Sequence, residues 1–198
     1  MKISEATLRE RLHRARLDDW VRVLPSRNVA TPIGAGFGSS RFSSPSNAFK
    51  VLYAADNFAT AFAEAVVRDR FEGKSRRFLY RPHLDQLCVA AVGSNRELVM
   101  LDLRGAAAYE LGFDTDASRA RDHTSGQALS EAVHAKMPDI DAILFDSRLT
   151  SGACVAIYER ALPSLSAKPS IALMQSALLP AELTRLGVTV RRKRGFAP

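Results

Sequence analysis

The sequence predicts a single α+β domain, with mixed β-sheets and flanking helices, from three observations. The first is size, because 198 residues suit one domain or one domain with short terminal extensions. The second is composition: 46% hydrophobic and 25% charged residues supply an ordinary globular core that needs no disulfide or metal to hold it. The third is order, since strand-like and helix-like runs are interspersed without a regular βαβ rhythm, which favours α+β over a doubly wound sheet.

Residues 4–17 read as an amphipathic helix, with Leu8, Leu12 and Ala15 on one side and arginines around the rest, so residues 1–19 form a helical extension ahead of a main domain over 20–198. Residues 25–48, rich in Gly, Ser, Pro and Asn, read as a long ordered loop, and a loop of that length is more often functional or disordered than a passive connector. A short strand at 51–54 is followed by a helix that Asp56 or Asn57 can cap, bearing Phe58, Phe62, Ala65 and Val66 at helical spacing. Strands are predicted at 86–93 and 97–103. Thr124 and Gln127 have capping-box spacing and open a helix carrying Leu129, Ala132, Val133 and Met137. Strands at 142–145 and 154–158 are joined by a turn at 150–152, and a last strand falls at 186–192.

The formal net charge is +7, with arginine clusters at Arg9, Arg11, Arg14 and Arg16 and a basic run over Arg191, Arg192, Lys193 and Arg194. Such a field attracts polyanions (nucleic acid, an anionic small molecule, an acidic protein) without choosing among them, and a solvated basic face explains either cluster alone. The two cysteines, Cys88 and Cys154, sit in apolar strand-like runs and read as buried thiols of a reducing compartment. The charged N-terminus has no secretory h-region, and no apolar run approaches the roughly 18 residues of a membrane span, so a cytoplasmic protein without a membrane partner is expected.

Several chemistries are marked down. Gly34-Ala35-Gly36-Phe37-Gly38 is followed by Ser39 and no helix, unlike a dinucleotide fingerprint. His13, His83, His123 and His134 lack zinc-site spacing, so no metal is expected. A Gly-x-Ser-x-Gly elbow is absent. The basic runs lack interleaved aromatics and no helix-turn-helix pattern appears, which argues against direct nucleic-acid binding.

Four segments stand out together. Arg22 lies in Trp20-Val21-Arg22-Val23, and Arg41 follows the glycine loop in Arg41-Phe42-Ser43-Ser44-Pro45. Tyr53 and Glu64 lie in Leu52-Tyr53-Ala54-Ala55 and Phe62-Ala63-Glu64-Ala65, and Ser147 closes the apolar run Ile143-Leu144-Phe145-Asp146-Ser147-Arg148. This order resembles the RES domain family, named for its arginine, glutamate and serine, over roughly residues 20–160. In that family a Gly-x-x-Arg-aromatic segment leads to a Leu-Tyr-x-Ala strand, a glutamate-bearing helix and a late strand ending in Ser-Arg. Many members have Arg-Trp-Asn-Pro where this chain has Arg41-Phe42-Ser43-Ser44-Pro45.

The resemblance implies a fold like that of ADP-ribosyltransferases, with residues 20–198 as the catalytic domain. It implies a toxin of a bacterial toxin–antitoxin pair that takes NAD+ as substrate and depletes it by phosphorolysis or hydrolysis. It also implies a cognate antitoxin, an Xre-like helix-turn-helix protein occluding the active site. Transfer of ADP-ribose to an acceptor protein is the alternative within enzymes. A non-catalytic basic module binding nucleic acid or an acidic protein is the alternative from another class.

The residue types suit NAD+ cleavage. A guanidinium binds phosphate oxygens through paired charge-assisted hydrogen bonds, so Arg41 is a natural clamp for the pyrophosphate and Arg22 a second one. Departure of nicotinamide builds positive charge on the ribose, which a carboxylate such as Glu64 stabilises. Tyr53 offers a flat face to nicotinamide or ribose, and Ser147 a hydrogen bond at a strand end. Bland readings stand beside each role. Glu64 can form an exposed i,i+4 ion pair with Arg68. Tyr53 can be a core residue with its hydroxyl tied off, and Arg22 can pair with Asp18 or Asp19. His123, just before Thr124, can face the site or the surface, and the surface is the reading adopted. Arg148 is assigned to the strand face opposite Ser147.

Overall fold

The structure is a computed structural model, described for residues 4–68, 70–71, 74–111, 123–150 and 152–192. Its centre is a nine-stranded mixed sheet. β1 (Leu12–Ala15), β2 (Trp20–Pro25), β3 (Val51–Ala55), β5 (Leu87–Ser94), β6 (Leu98–Asp102), β7 (Ala142–Asp146), β8 (Ala153–Tyr158), β9 (Leu165–Ala167) and β10 (Ile171–Ala172) build it. The strands run in the order β1-β6-β7-β8-β3-β2-β5-β10, with β9 also pairing β5. Only β6 and β7 are parallel within it. β4 (Phe78–Tyr80) and β11 (Thr189–Arg191) form a separate parallel pair. This is the α+β arrangement that the sequence predicts.

The central strands alternate between two buried layers, as the period-2 geometry of a strand requires. Val51, Ile143, Ala156 and Tyr158 pack with Phe42 and Phe49 on one face, while Leu52, Ala54, Leu144, Val155 and Ile157 pack with Leu17 and Leu165 on the other. Each valine, leucine, isoleucine or phenylalanine among them stabilises the fold by about 1.5–3 kcal/mol when fully buried. The helix Thr124–Lys136 covers the first face through Leu129 and Val133, with Met137 just beyond its end. A third cluster, around Phe58, Phe62 and Val66, packs the helix after β3 against Val21, Val23 and Val89. Cys88 and Cys154 are buried free thiols, as expected from their strand-like surroundings. Among the described residues no helix is long and apolar enough to cross a membrane.

Most strands predicted from the sequence are found within one or two residues of their expected ends, and Asn57 is the cap of the following helix, its Oδ1 accepting from Thr60 N at 2.8 Å. Part of the predicted turn, Ser151, lies outside the described residues, as do Lys193 and Arg194 of the basic run.

Three expectations are corrected. The helix expected over 4–17 spans only Glu5–Arg9, and Leu12–Ala15 is instead an edge strand paired antiparallel with Leu98–Leu101. Ladder hydrogen bonds to β6 win over the helical pattern, and Leu8 and Leu12 still reach the same apolar layer. Trp20–Pro25, read in the sequence only as the setting of Arg22, is a full strand against β5. Thr124 is not a capping residue: His123 holds that position in αR conformation without a side-chain cap, and Gln127 Nε2 donates to Ser40 O at 3.3 Å instead of closing a box.

Within the N-terminal basic cluster, Arg9 pairs with Glu5 and Asp139, and Arg11 with Glu110, so half of that cluster is an ordinary ion-paired face.

Candidate active site

β2 and β3 are in register at a single pair, Val21 with Ala55, and a cleft of about 220 Å³ opens beside it. Arg22, Arg41, Tyr53 and Glu64 all line this one cavity, and Ser147 touches it through Glu64. Arg68, Phe145, Asp146, Arg148 and Cys154 complete much of the wall. Four guanidiniums therefore surround two carboxylates, and the cleft is cationic.

Glu64 sits where the helix Phe58–Phe62 changes into a π turn over Ala63–Val67, closed by Arg68 N donating to Ala63 O at 2.8 Å. Such insertions re-aim side chains and are frequent at functional sites. Ser147 Oγ donates to Glu64 Oε1 at 2.7 Å, whereas the contact from Arg68 Nη1 to Oε2 is long at 3.5 Å. The i,i+4 pair exists, but it is neither exposed nor the main partner of the carboxylate, since the Glu64 side chain keeps 20% of its surface. Ser147 accepts in turn from Leu149 N at 3.1 Å and Thr150 N at 3.3 Å, which fixes its hydroxyl proton on Glu64.

Arg41 is carried by a loop pinned on both sides. Phe42 is buried, donates its N–H to Tyr53 Oη at 2.9 Å and accepts from Ser130 Oγ at 2.8 Å. Ser44 and Ser46 both donate to Glu131, at 2.9 and 2.7 Å, and so tie down the stretch that follows Arg41. Gly126 makes the approach of the helix feasible: a Cβ there would lie 2.6 Å from Arg41 Cγ and 2.7 Å from Arg41 O. Burial, with Arg148 and Arg68 nearby, pushes the Arg41 guanidinium down to about 10, still cationic at neutral pH. Its Cζ stands 5.8 Å from the Phe145 ring centre.

Tyr53 is both tied off and a lining residue of the cleft. Its hydroxyl is tied off by Phe42 N, yet its ring forms part of the cleft wall, edge-on to Phe145 at 6.5 Å. Burial raises its phenol to about 12, so it is a neutral surface at physiological pH. Burial likewise pushes the Cys154 thiol up to about 12, with Glu64 and Asp56 adding to the effect, which leaves no thiolate to act as nucleophile. Arg22 does not pair with Asp18 or Asp19 in the way its bland reading foresaw. Its Nη1 donates to Pro32 O at 2.7 Å and Gly34 O at 2.8 Å, bracing the glycine loop from the cleft wall.

Three residues left out of the predicted site belong beside it. Arg148 lines the cavity, because β7 ends at Asp146 and strand alternation no longer governs the chain there. Arg68 lines it from the π turn; its spacing from Glu64 was the visible signal, read only as an ion pair. His123 is half-buried and bridges Ser39 O and Arg68, a contact that no local pattern announces. Among the described residues, no three of His, Cys, Asp and Glu gather as a metal site would require.

Fold and cleft together define a single-domain α+β protein with a cationic pocket and one well-held carboxylate. Comparison with known proteins narrows this. The RES domain model matches residues 11–181, and the chain belongs to the RES domain family. Over 105 residues it is 34% identical to a protein of Sinorhizobium fredii (strain NBRC 101917 / NGR234) described as "Probable toxin y4kH", a match covering 52% of this chain and 83% of that protein. Its fold is similar to that of a chain in the crystal structure of the M. tuberculosis MbcT–MbcA toxin–antitoxin complex, with a TM-score of 0.65 at 16% identity, over 86% of this chain and 93% of the other. The single-domain α+β fold expected from the order of strands and helices is accordingly the fold of this chain, shared with that toxin–antitoxin structure.

Proposed function

We propose that the chain is the toxin of a bacterial toxin–antitoxin pair, acting in the cytoplasm by cleaving the nicotinamide–ribose bond of NAD+. The observation that carries this reading is Glu64, a carboxylate fixed by Ser147 inside a pocket whose other charged walls are mostly arginine. Family membership and the toxin description of the Sinorhizobium relative support it.

In this reading Arg41 binds the pyrophosphate, with Arg148 beside it and Arg22 bracing the loop that presents it. Tyr53 and Phe145 give the nicotinamide riboside an apolar wall. Glu64 holds the ribose hydroxyls and offsets the positive charge that grows on the sugar as nicotinamide departs. Because Ser147 fixes the carboxylate beforehand, little reorganisation is needed when that charge appears. Nicotinamide leaves as a neutral molecule, so no metal is required to assist it. Phosphate or water then takes the ribose carbon.

Nicotinamide release by wild type and Glu64→Ala is the test. Release that disappears in the variant, with the fold intact, supports the proposal; equal release by both rejects it. Labelled NAD+ separates depletion from transfer: soluble ADP-ribose or its phosphate marks depletion, and label retained on denatured protein marks ADP-ribosyl transfer. The partner proposed is an Xre-like helix-turn-helix antitoxin that places an acidic segment over the cationic cleft, in keeping with the +7 charge of the chain. Inhibition by the co-purified partner should weaken at high salt.

A further inference from the structure

We infer that His123 is a positioning residue, whose imidazole sets the arginine loop and the glutamate helix in fixed relation across the cleft; the kinetic form of this inference rests on the NAD+ reading. The two walls come from separate parts of the chain. Ser39 belongs to the glycine loop that leads into Arg41, and Arg68 follows the π turn that carries Glu64. His123 Nδ1 lies 2.8 Å from Ser39 O, and its Nε2 lies 3.0 Å from Arg68 Nη2. The same helix start also holds the loop through Gln127, whose Nε2 donates to Ser40 O at 3.3 Å, and through the close passage of Arg41 over Gly126.

The donor and acceptor types determine the tautomer. A guanidinium only donates, so Nε2 must accept from Arg68; a carbonyl only accepts, so Nδ1 must carry the proton and donate to Ser39 O. One aromatic ring thus supplies a donor on one edge and an acceptor on the other, at a separation matched to the two walls. Lysine and arginine offer donors alone. Asparagine and glutamine offer both kinds of atom, but asparagine reaches about as far as Nδ1 and glutamine about as far as Nε2, so each can serve one wall.

That difference makes the inference testable. Glutamine at this position keeps the acceptor for Arg68, and through it the setting of Glu64, but releases the loop of Arg41. Asparagine does the reverse. Loosening a group that binds ground state and transition state alike raises KM, whereas loosening one that acts on charge developed in the transition state lowers kcat.

In nicotinamide-release assays, His123→Gln is expected to raise KM about tenfold with kcat within about twofold of wild type. His123→Asn is expected to lower kcat about tenfold with KM within about twofold. His123→Ala should do both. Long-range 1H–15N correlation of the His123 ring, read without any substrate, should show the proton on Nδ1. A proton on Nε2, or His123→Gln and His123→Asn variants that leave both parameters unchanged or shift them together in step with a lowered melting temperature, overturns the inference. Wild-type protein that releases no nicotinamide defeats the NAD+ reading instead, and the ring tautomer then decides the role of His123 by itself.

Discussion

Replacing Ser147 by alanine tests how much of the activity depends on holding one carboxylate still. The serine gives its only proton to Glu64 Oε1 at 2.7 Å, whereas the contact to that carboxylate from Arg68 is 3.5 Å long. A hydrogen bond to a charged group contributes about 1.5–3 kcal/mol. If that interaction is fully expressed in the transition state, its loss lowers kcat by about tenfold to about a hundredfold at 1.36 kcal/mol per factor of ten. The stability cost should be smaller, about 1 kcal/mol, because Leu149 N and Thr150 N lose an acceptor in a loop that water can reach. The assay is nicotinamide release under saturating NAD+, with a melting curve on the same sample. A double variant with Glu64→Ala should be no slower than Glu64→Ala alone, since the serine acts through the glutamate. Wild-type kcat in Ser147→Ala would falsify the idea that this hydroxyl orients Glu64.

Further predictions separate positioning, reactivity and stability. Gly126→Ala should raise KM about tenfold and lower the melting temperature, because the added methyl would overlap both Arg41 Cγ and the Arg41 carbonyl oxygen and so displaces the pinned loop; an unchanged KM counts against the cradle described above. Cys154 should resist iodoacetamide at pH 8 in the folded protein and react once urea is added, since burial holds its thiol near 12; rapid labelling of the native state contradicts that burial. The folded state keeps the Cys154 proton between about 9, the ordinary value, and about 12, so its contribution to stability is present below that window and declines as pH rises through it. Cys154→Ala should flatten this alkaline decline in urea titrations. Asp141 is buried, accepts from Arg96 Nη1 and Nη2 at 2.7 and 2.8 Å and from Val99 N at 2.9 Å, and lies outside the cleft. Asp141→Ala should therefore cost about 2–3 kcal/mol in chemical denaturation, discounted because Arg96 is largely solvated, with nicotinamide release per folded molecule unchanged.

How much of this was legible beforehand follows from the range of the interactions involved. Val51–Ala55, Ala142–Asp146 and Ala153–Tyr158 could be read as strands because alternation and branched or aromatic side chains are properties of neighbouring residues. The cap at Asn57 was readable for the same reason: a side-chain oxygen meets an N–H three residues away. Arg41, Tyr53, Glu64 and Ser147 were singled out by their order and local setting, and all four meet at one cleft.

Distant partners decided the rest. Leu12–Ala15 has the composition of a helix continuing from Arg9, and becomes a strand only because β6 offers an unpaired edge. Glu64 faces the pocket from a π turn, which packing of the helix around Phe62 and Val66 permits but no sequence period encodes. His123 and Ser39 are 84 residues apart, and Arg148 turns inward because its strand stops two residues earlier. The sequence by itself determined which chemical groups the protein owns and which segments are strands or helices, since those depend on nearest neighbours along the chain. Which groups share a hydrogen bond or a wall of the cleft was decided only by tertiary structure, because such contacts form between segments whose proximity is a property of the whole fold.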